Sequence, residues 1–222
     1  MTFSGFGEHA VEFFDELTSD NSKHYWEAHK DIYVSDIRAP MEALVGELEK
    51  EFGGKVGSGK VFRPYRDVRF AKDKTPYKTN CGGVIEHGRG GGAYYVEVSS
   101  AGLMVGGGCF HMHSDQITRY RTAVSRDLTG SMLDKIMTKL RKQGWEIRGD
   151  QMKTRPREYP ADHPRIDLLR YRGSVYAVKV WDPDDVLHDR ACLDRVRKAW
   201  RELRPFNEWA VDHVGVSEQP RR

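Results

Sequence analysis

The sequence predicts an α+β fold: an antiparallel sheet of at least four strands, covered by helices from the N- and C-terminal parts of the chain. Three observations lead there. Apolar residues recur at helical spacing in the first and last thirds, whereas the middle third switches to a period of two. The middle segments are short and joined by short turns, which suits antiparallel neighbours rather than long parallel crossovers. Aromatic residues make up 11% of the chain, and each buries about 150–250 Å². A chain with 31% charged residues therefore still has the material for a core.

In order, Val11, Phe14 and Leu17 mark a first helix, closed by Thr18-Ser19-Asp20-Asn21. Ser22 is the expected N-cap of a second helix carrying Trp26, Ile32 or Tyr33, and Ile37. Pro40 suits the first turn of a new helix, with Met41, Leu44, Val45 and Leu48 as its stripe and Phe52-Gly53-Gly54 as its end. Residues 61–70 alternate: Phe62, Pro64, Arg66, Val68 and Phe70 on one face, Arg63, Tyr65, Asp67 and Arg69 on the other. This predicts a half-buried strand, with Pro64 at an edge or bulge. Residues 79–86 and 93–99 give two further strands joined by a hairpin loop at 88–92, and Ser100-Ala101-Gly102 turns into a fourth beginning at Leu103. Ser114 and Ser131 are expected to cap two helices. A strand at 145–147, a proline-rich surface loop at 153–165 and a strand at 176–181 follow. Asp182-Pro183 opens a short helix, a longer one starts near Asp189, and Pro205 begins a final helical turn. One domain is expected over 1–214, with a frayed tail at 215–222.

Cys81, Cys109 and Cys192 are odd in number and widely spaced, so no disulfide framework is implied. The N-terminus lacks a basic segment followed by an apolar run. No stretch approaches the roughly 18–20 apolar residues of a membrane span. The expectation is a soluble chain in a reducing cytoplasm, with no membrane partner. Residues 1–50 carry four basic residues against eleven acidic ones, although the whole chain is +3. Either acidic N-terminal helices pack on a basic body, or the basic part meets an anionic partner.

Residues 63–78 concentrate that positive charge, with six basic residues against two acidic ones. On a strand, Arg63 and Arg69 would share a face with Asp67 between them. Arginine forks suit bidentate contact with carboxylate or phosphate, and Asp67 can hold one fork while the other meets a ligand. Arg66 falls on the apolar face and needs a partner. Lys72, Lys74 and Lys78 extend the charge onto a loop that also holds Tyr77. The candidate ligand-binding set is thus Arg63, Arg66, Asp67, Arg69, Lys72, Lys74, Tyr77 and Lys78. The purely architectural alternative is a charged edge strand that resists aggregation. The first functional expectation is a small anionic ligand bearing phosphate or carboxylate. The alternatives are nucleic-acid binding, with Tyr65 and Tyr77 as stacking platforms, and a protein-interaction module using the acidic N-terminal region or the 153–165 loop. Asp67 and Asp73 are weak acid–base candidates because neighbouring arginines favour their ionised forms. His163 is an isolated one.

The segment 62–79, Phe-Arg-Pro-Tyr-Arg-Asp-Val-Arg-Phe-Ala-Lys-Asp-Lys-Thr-Pro-Tyr-Lys-Thr, resembles the central signature of the family called domain of unknown function 2461. The resemblance extends to Trp26, Lys30 and Tyr33, to Gly106-Gly107-Gly108, to Arg121, and to Asp162-His163-Pro164, covering about residues 3–213. It implies that the basic segment is the hallmark of the group, and it implies no activity.

No motif specifies a reaction or a cofactor. Cys109, His111 and His113 alternate, so an extended backbone would align three possible metal ligands, but a helix start would scatter them and no further ligand converges. No metal is assigned. Gly106-Gly107-Gly108 fits neither a phosphate loop nor a dinucleotide fingerprint, and there is no Gly-x-Ser-x-Gly elbow.

Overall fold

The computed structural model of the chain describes residues 2–54, 58–87 and 92–219. Helix α1 (Ala10–Ser19) buries Ala10, Phe13, Phe14 and Leu17. Helix α2 (Lys23–Ile32) starts at the expected cap, where the Ser22 hydroxyl accepts the Tyr25 N–H at 3.1 Å. It then runs without a break through a π-helical turn, Tyr33–Arg38, into α3 (Ala39–Phe52). Pro40 stands in the first turn of α3, as expected, although α3 continues the preceding helical run rather than starting apart from it. The wider turn just before it, with the Ala39 N–H on the Val34 carbonyl, lets the helix pass a residue that has no hydrogen to donate.

The strands are β1 (Ser58–Val61), β2 (Asn80–Glu86), β3 (Ala93–Ser99), β4 (Gly102–Cys109), β5 (Glu146–Arg148) and β6 (Val175–Trp181). They form one sheet in the order β1-β2-β3-β4-β6-β5, with every neighbouring pair antiparallel. The meander β2–β4 stands where the period of two placed it. The hairpin loop at 88–92 lies outside the described residues except for Gly92, whose carbonyl accepts the His87 N–H at 3.0 Å.

The expected strand at 61–70 is a correction. Only its first residue belongs to β1, and the chain then leaves the sheet. Pro64 cannot donate to a ladder. The segment pairs with itself instead: Arg66 N–H meets the Pro76 carbonyl and Lys78 N–H the Pro64 carbonyl, both at 2.8 Å, bridging Tyr65 to Tyr77. Burial still alternates as far as residue 69, and Phe70, assigned to the apolar face, is 97% exposed.

Helices α4 (Ser114–Ser125), α5 (Asp127–Lys142), α6 (Ile166–Leu169) and α7 (Ala191–His213) complete the fold. The cap of α4 is His113, with Ser114 the first helical residue. Helix α5 begins at Asp127 rather than at Ser131. The short helix after Pro183 is a 3₁₀ turn, Asp185–His188. Pro205 was expected to begin a new turn, but it sits exposed inside α7, because Leu203, Phe206 and Asn207 hold the helix to the core on either side of it. Residues 215–219 were expected to fray, yet they lie along α4. Gln116 donates to the Gly215 carbonyl at 2.7 Å, and the Asp115 carboxylate accepts the Ser217 hydroxyl and the Glu218 N–H at 3.0 Å.

The core lies between one face of the sheet and the helices. A β-carbon on Gly83 would run into Val45 and Met41 of α3, and one on Gly107 into Leu203 and Asn207 of α7. Val96, Val98, Leu103 and Val105 are fully buried there. The intervening residues Tyr95, Glu97 and Ser99 point to the opposite face and are half-buried. No helix among the described residues is long and apolar enough to cross a membrane.

Candidate functional site

The basic segment is fixed by an aromatic anchor. Trp26 of α2 stacks on Tyr77 with ring centroids 4.3 Å apart and planes 9° from parallel, and Tyr65 flanks both rings at 6.1 and 5.6 Å. Asn21, in the turn before α2, imitates a strand neighbour. Its Oδ1 accepts the Tyr77 N–H at 3.0 Å and its Nδ2 donates to the Tyr77 carbonyl at 3.2 Å. The chain thus leaves β1 at Val61, doubles back through the Tyr65–Tyr77 bridge, and enters β2 at Asn80. This path brings residues 78–80 beside Phe62.

A pocket of about 410 Å³ opens at that junction, lined by Phe62, Arg66, Lys78, Thr79, Asn80 and Tyr95. The ammonium groups of Lys60 and Lys78 lie 5.7 and 5.2 Å from the centre of the Phe62 ring, where the ring quadrupole attracts them. Burial, then the charges of Arg63 and Lys60, lower the pKa of Lys78. Arg66 is held by Asp73 and by the Thr75 hydroxyl. Lys60, Arg63 and Lys78 take part in none of the ion pairs found among the described residues.

Behind the lining stands a carboxylate. Glu97 Oε2 accepts the Tyr95 hydroxyl at 2.5 Å and the Asn80 side-chain amide at 2.9 Å. Burial raises the Glu97 pKa above the ordinary carboxylate range, and these two hydrogen bonds oppose it in part. Burial and the neighbouring Glu97 push the Tyr95 hydroxyl pKa upward, so the phenol stays protonated and donates.

The structure divides the eight sequence-derived residues. Arg66 and Lys78 line the pocket, and Arg63 contributes its field beside Lys78. Asp67 and Arg69 pair with each other on an exposed loop, the Arg69 fork reaching the carboxylate at 2.9 and 2.7 Å and holding Asp67 below its usual range. Lys74 donates to the Val68 carbonyl at 2.8 Å, and Lys72 is exposed. Arg63 and Arg69 do not share a strand face, since no strand exists there. Tyr77 is buried under Trp26, so it offers no open ring for stacking. Asp73 is held at about 2 by the Thr75 N–H, the Arg66 guanidinium and the Thr75 hydroxyl, and so is no proton donor near neutrality.

Lys60, Phe62, Thr79, Asn80, Tyr95 and Glu97 were missed as site residues. The alternation Tyr95-Val96-Glu97-Val98 carried a signal, because it places two polar groups on the face away from the core. Their convergence with residue 80 needed the register of β2 and β3, which sets Gly82 opposite Glu97 and Val84 opposite Tyr95.

Burial pushes Cys81 up to about 11 and Cys109 and Cys192 up to about 12, which keeps all three as unreactive thiols. Cys109 is buried at the end of β4, His111 is exposed and His113 caps α4. No group of three or more His, Cys, Asp or Glu placed to hold a metal is found among the described residues. The His163 ring accepts the Arg165 N–H at 3.1 Å and so shapes its own loop.

No curated protein matches the chain. The family model described as "Conserved hypothetical protein (DUF2461)" matches residues 9–209, which include α2 with Trp26, the whole basic segment and all six strands. The chain therefore belongs to the DUF2461 family of conserved hypothetical proteins.

Proposed function

We propose that the pocket between Phe62 and Lys78 binds a small anionic ligand bearing phosphate or carboxylate. One observation carries this reading. Lys78 lines the concave site, Lys60 shares the Phe62 ring with it and Arg63 lies close enough to act on its charge, and none of the three takes part in an ion pair among the described residues, whereas the neighbouring Arg66 and Arg69 each do. Burial, and after it the like charges of Arg63 and Lys60, lower the pKa of Lys78, so an anion that joined them would relieve repulsion as well as gain charge-assisted hydrogen bonds. Thr79 and Asn80 add neutral hydrogen-bonding groups to the lining. Relative to the set drawn from the sequence, Arg63, Arg66 and Lys78 remain in the grip, Lys60 joins it, and Arg69 stays with Asp67.

The test is thermal unfolding of the full chain with inorganic phosphate, sugar phosphates and dicarboxylates, beside Lys78→Met, which keeps the stem on Phe62 and removes the charge. A ligand at 100 times its dissociation constant stabilises the native state by about 2.7 kcal/mol. A shift with at least one of these anions, weakened tenfold or more in apparent affinity by Lys78→Met as about 1.5–3 kcal/mol per charged hydrogen bond implies, supports the site. Absence of a shift with every anion rejects it.

A further inference from the structure

Resting on that reading, we infer that the anion is the phosphate of a nucleotide, and that its base stacks on an aromatic row crossing the sheet face opposite the helices. The row starts at the cationic pocket. Phe62 and Tyr95 have centroids 6.4 Å apart, Tyr95 and Phe110 6.0 Å, and Phe110 and Tyr176 4.9 Å. All four rings are half-buried, so each keeps part of its surface open to solvent.

A glycine sets the Tyr95 ring against the sheet. A β-carbon on Gly82 would come 2.5 Å from the Tyr95 hydroxyl and 3.0 Å from its ring carbons. Tyr95 is further fixed by its hydroxyl on Glu97, which is itself held by Asn80. Glu97 is thus a positioning residue for the ring. The row continues through Phe110 and Tyr176 beyond the pocket lining, further than a bare phosphate or carboxylate would reach. An aromatic heterocycle joined to a phosphate matches both halves: the phosphate on Lys60, Arg63 and Lys78, the base on the ring surface next to them. Base–aromatic stacking tolerates any base, because every base presents a π-face.

The experiment is calorimetric titration of the full chain with ribose phosphate, with AMP, CMP, GMP and UMP, and with a short single-stranded oligonucleotide. Each is repeated on Tyr95→Leu and Tyr95→Phe. A nucleoside monophosphate should bind about tenfold or more tightly than ribose phosphate, as one stacked base supplies. Tyr95→Leu should bring that ratio toward one, and Tyr95→Phe should preserve it. Tighter, steeply salt-dependent binding of the oligonucleotide would give the nucleotide's source as a nucleic-acid strand; binding of the monophosphates alone would give it as a free nucleotide. Equal affinity for ribose phosphate and the monophosphates overturns this inference and leaves the anion site standing. Failure of every phosphate to bind overturns both. In the wild-type chain, NMR of ring-labelled tyrosines needs no tolerated substitution: the nucleotide must shift the Tyr95 ring signals, and unmoved signals overturn the stacking.

Discussion

At Gly82 the missing side chain is what lets the Tyr95 ring lie against β2, since an added β-carbon would stand 2.5 Å from its hydroxyl. The obstacle is a rigid ring hydrogen-bonded at its tip, so it cannot give way as a flexible chain end would. Gly82→Ala should cost about 1–3 kcal/mol in urea unfolding, the range for overpacking; a cost near zero would show that Tyr95 is free to move. Glu97 leads to a pH dependence. Burial raises its pKa above the ordinary 4.5, so the folded chain holds that proton at pH values where the unfolded chain has released it. The native state then binds more protons over that interval, and this contribution to stability is full below 4.5 and is lost as pH rises through the folded value. Glu97→Gln keeps an acceptor for Tyr95 and Asn80 but has no proton to release. The unfolding free energy of the variant relative to wild type should therefore improve between pH 4.5 and neutrality. A constant difference across that range would contradict the burial of a titrating carboxyl.

Among the elements, the basic segment shows how local alternation and a strand part company. The period-two burial of residues 62–69 is present, yet the hydrogen bonds run between 64–66 and 76–78 rather than into the sheet. Proline at 64 and 76 removes donors at the positions where a ladder would need them, and Asn21 with Trp26 supplies the tertiary partner that secures the alternative. A second element depends on one buried guanidinium. Arg165 donates to the Val124 and Ser125 carbonyls at the end of α4, at 2.8 and 3.2 Å, and to Asp127 at the start of α5, at 3.0 Å. Gly130 clears the space, because a β-carbon there would stand 2.5 Å from Arg165 Nε. Arg165→Met should destabilise the chain by about 1.5–3 kcal/mol in equilibrium unfolding, the range for hydrogen bonds to a charged group. A change within about 0.5 kcal/mol, typical of surface substitutions, would show that the α4–α5 junction holds without it.

At the scale of the whole molecule, part of the uneven charge of the sequence is matched within the fold. Glu47 and Glu51 of α3 meet α7 and the residue preceding it: Arg190 lies 2.8 Å from Glu47, and Arg201, Arg204 and Arg197 lie 2.7, 2.8 and 3.5 Å from Glu51. Glu47 also accepts the Phe3 N–H at 2.7 Å, tying the N-terminal segment to the same cluster. The Arg190 fork and that N–H hold Glu47 at about 2, below its ordinary 4.5. A depressed carboxyl contributes stability that is full above 4.5 and is lost as pH falls through about 2. Wild type should consequently lose stability faster than Glu47→Gln on acidification over that window, measured by urea unfolding at stepped pH. Identical slopes would place the pair with the surface ion pairs that contribute nothing measurable.

The sequence by itself determined the α+β class, the antiparallel meander, the Ser22 cap and the concentration of cations between 63 and 78, because period, cap chemistry and charge are properties of neighbouring residues. It could not show that Tyr77 is covered by Trp26, that α2 and α3 join into one helical run, or that Pro205 is carried inside a continuous helix. The cover on Tyr77 and the passage of α7 across Pro205 were decided by packing partners distant in the chain. The pocket belongs wholly to the tertiary structure. Its lining cations, Arg66 and Lys78, come from both arms of a loop that folds back on itself, Lys60 of β1 stands beside them on the Phe62 ring, and its Tyr95–Glu97 support comes from β3. Only strand register and the Tyr65–Tyr77 bridge set those three pieces side by side.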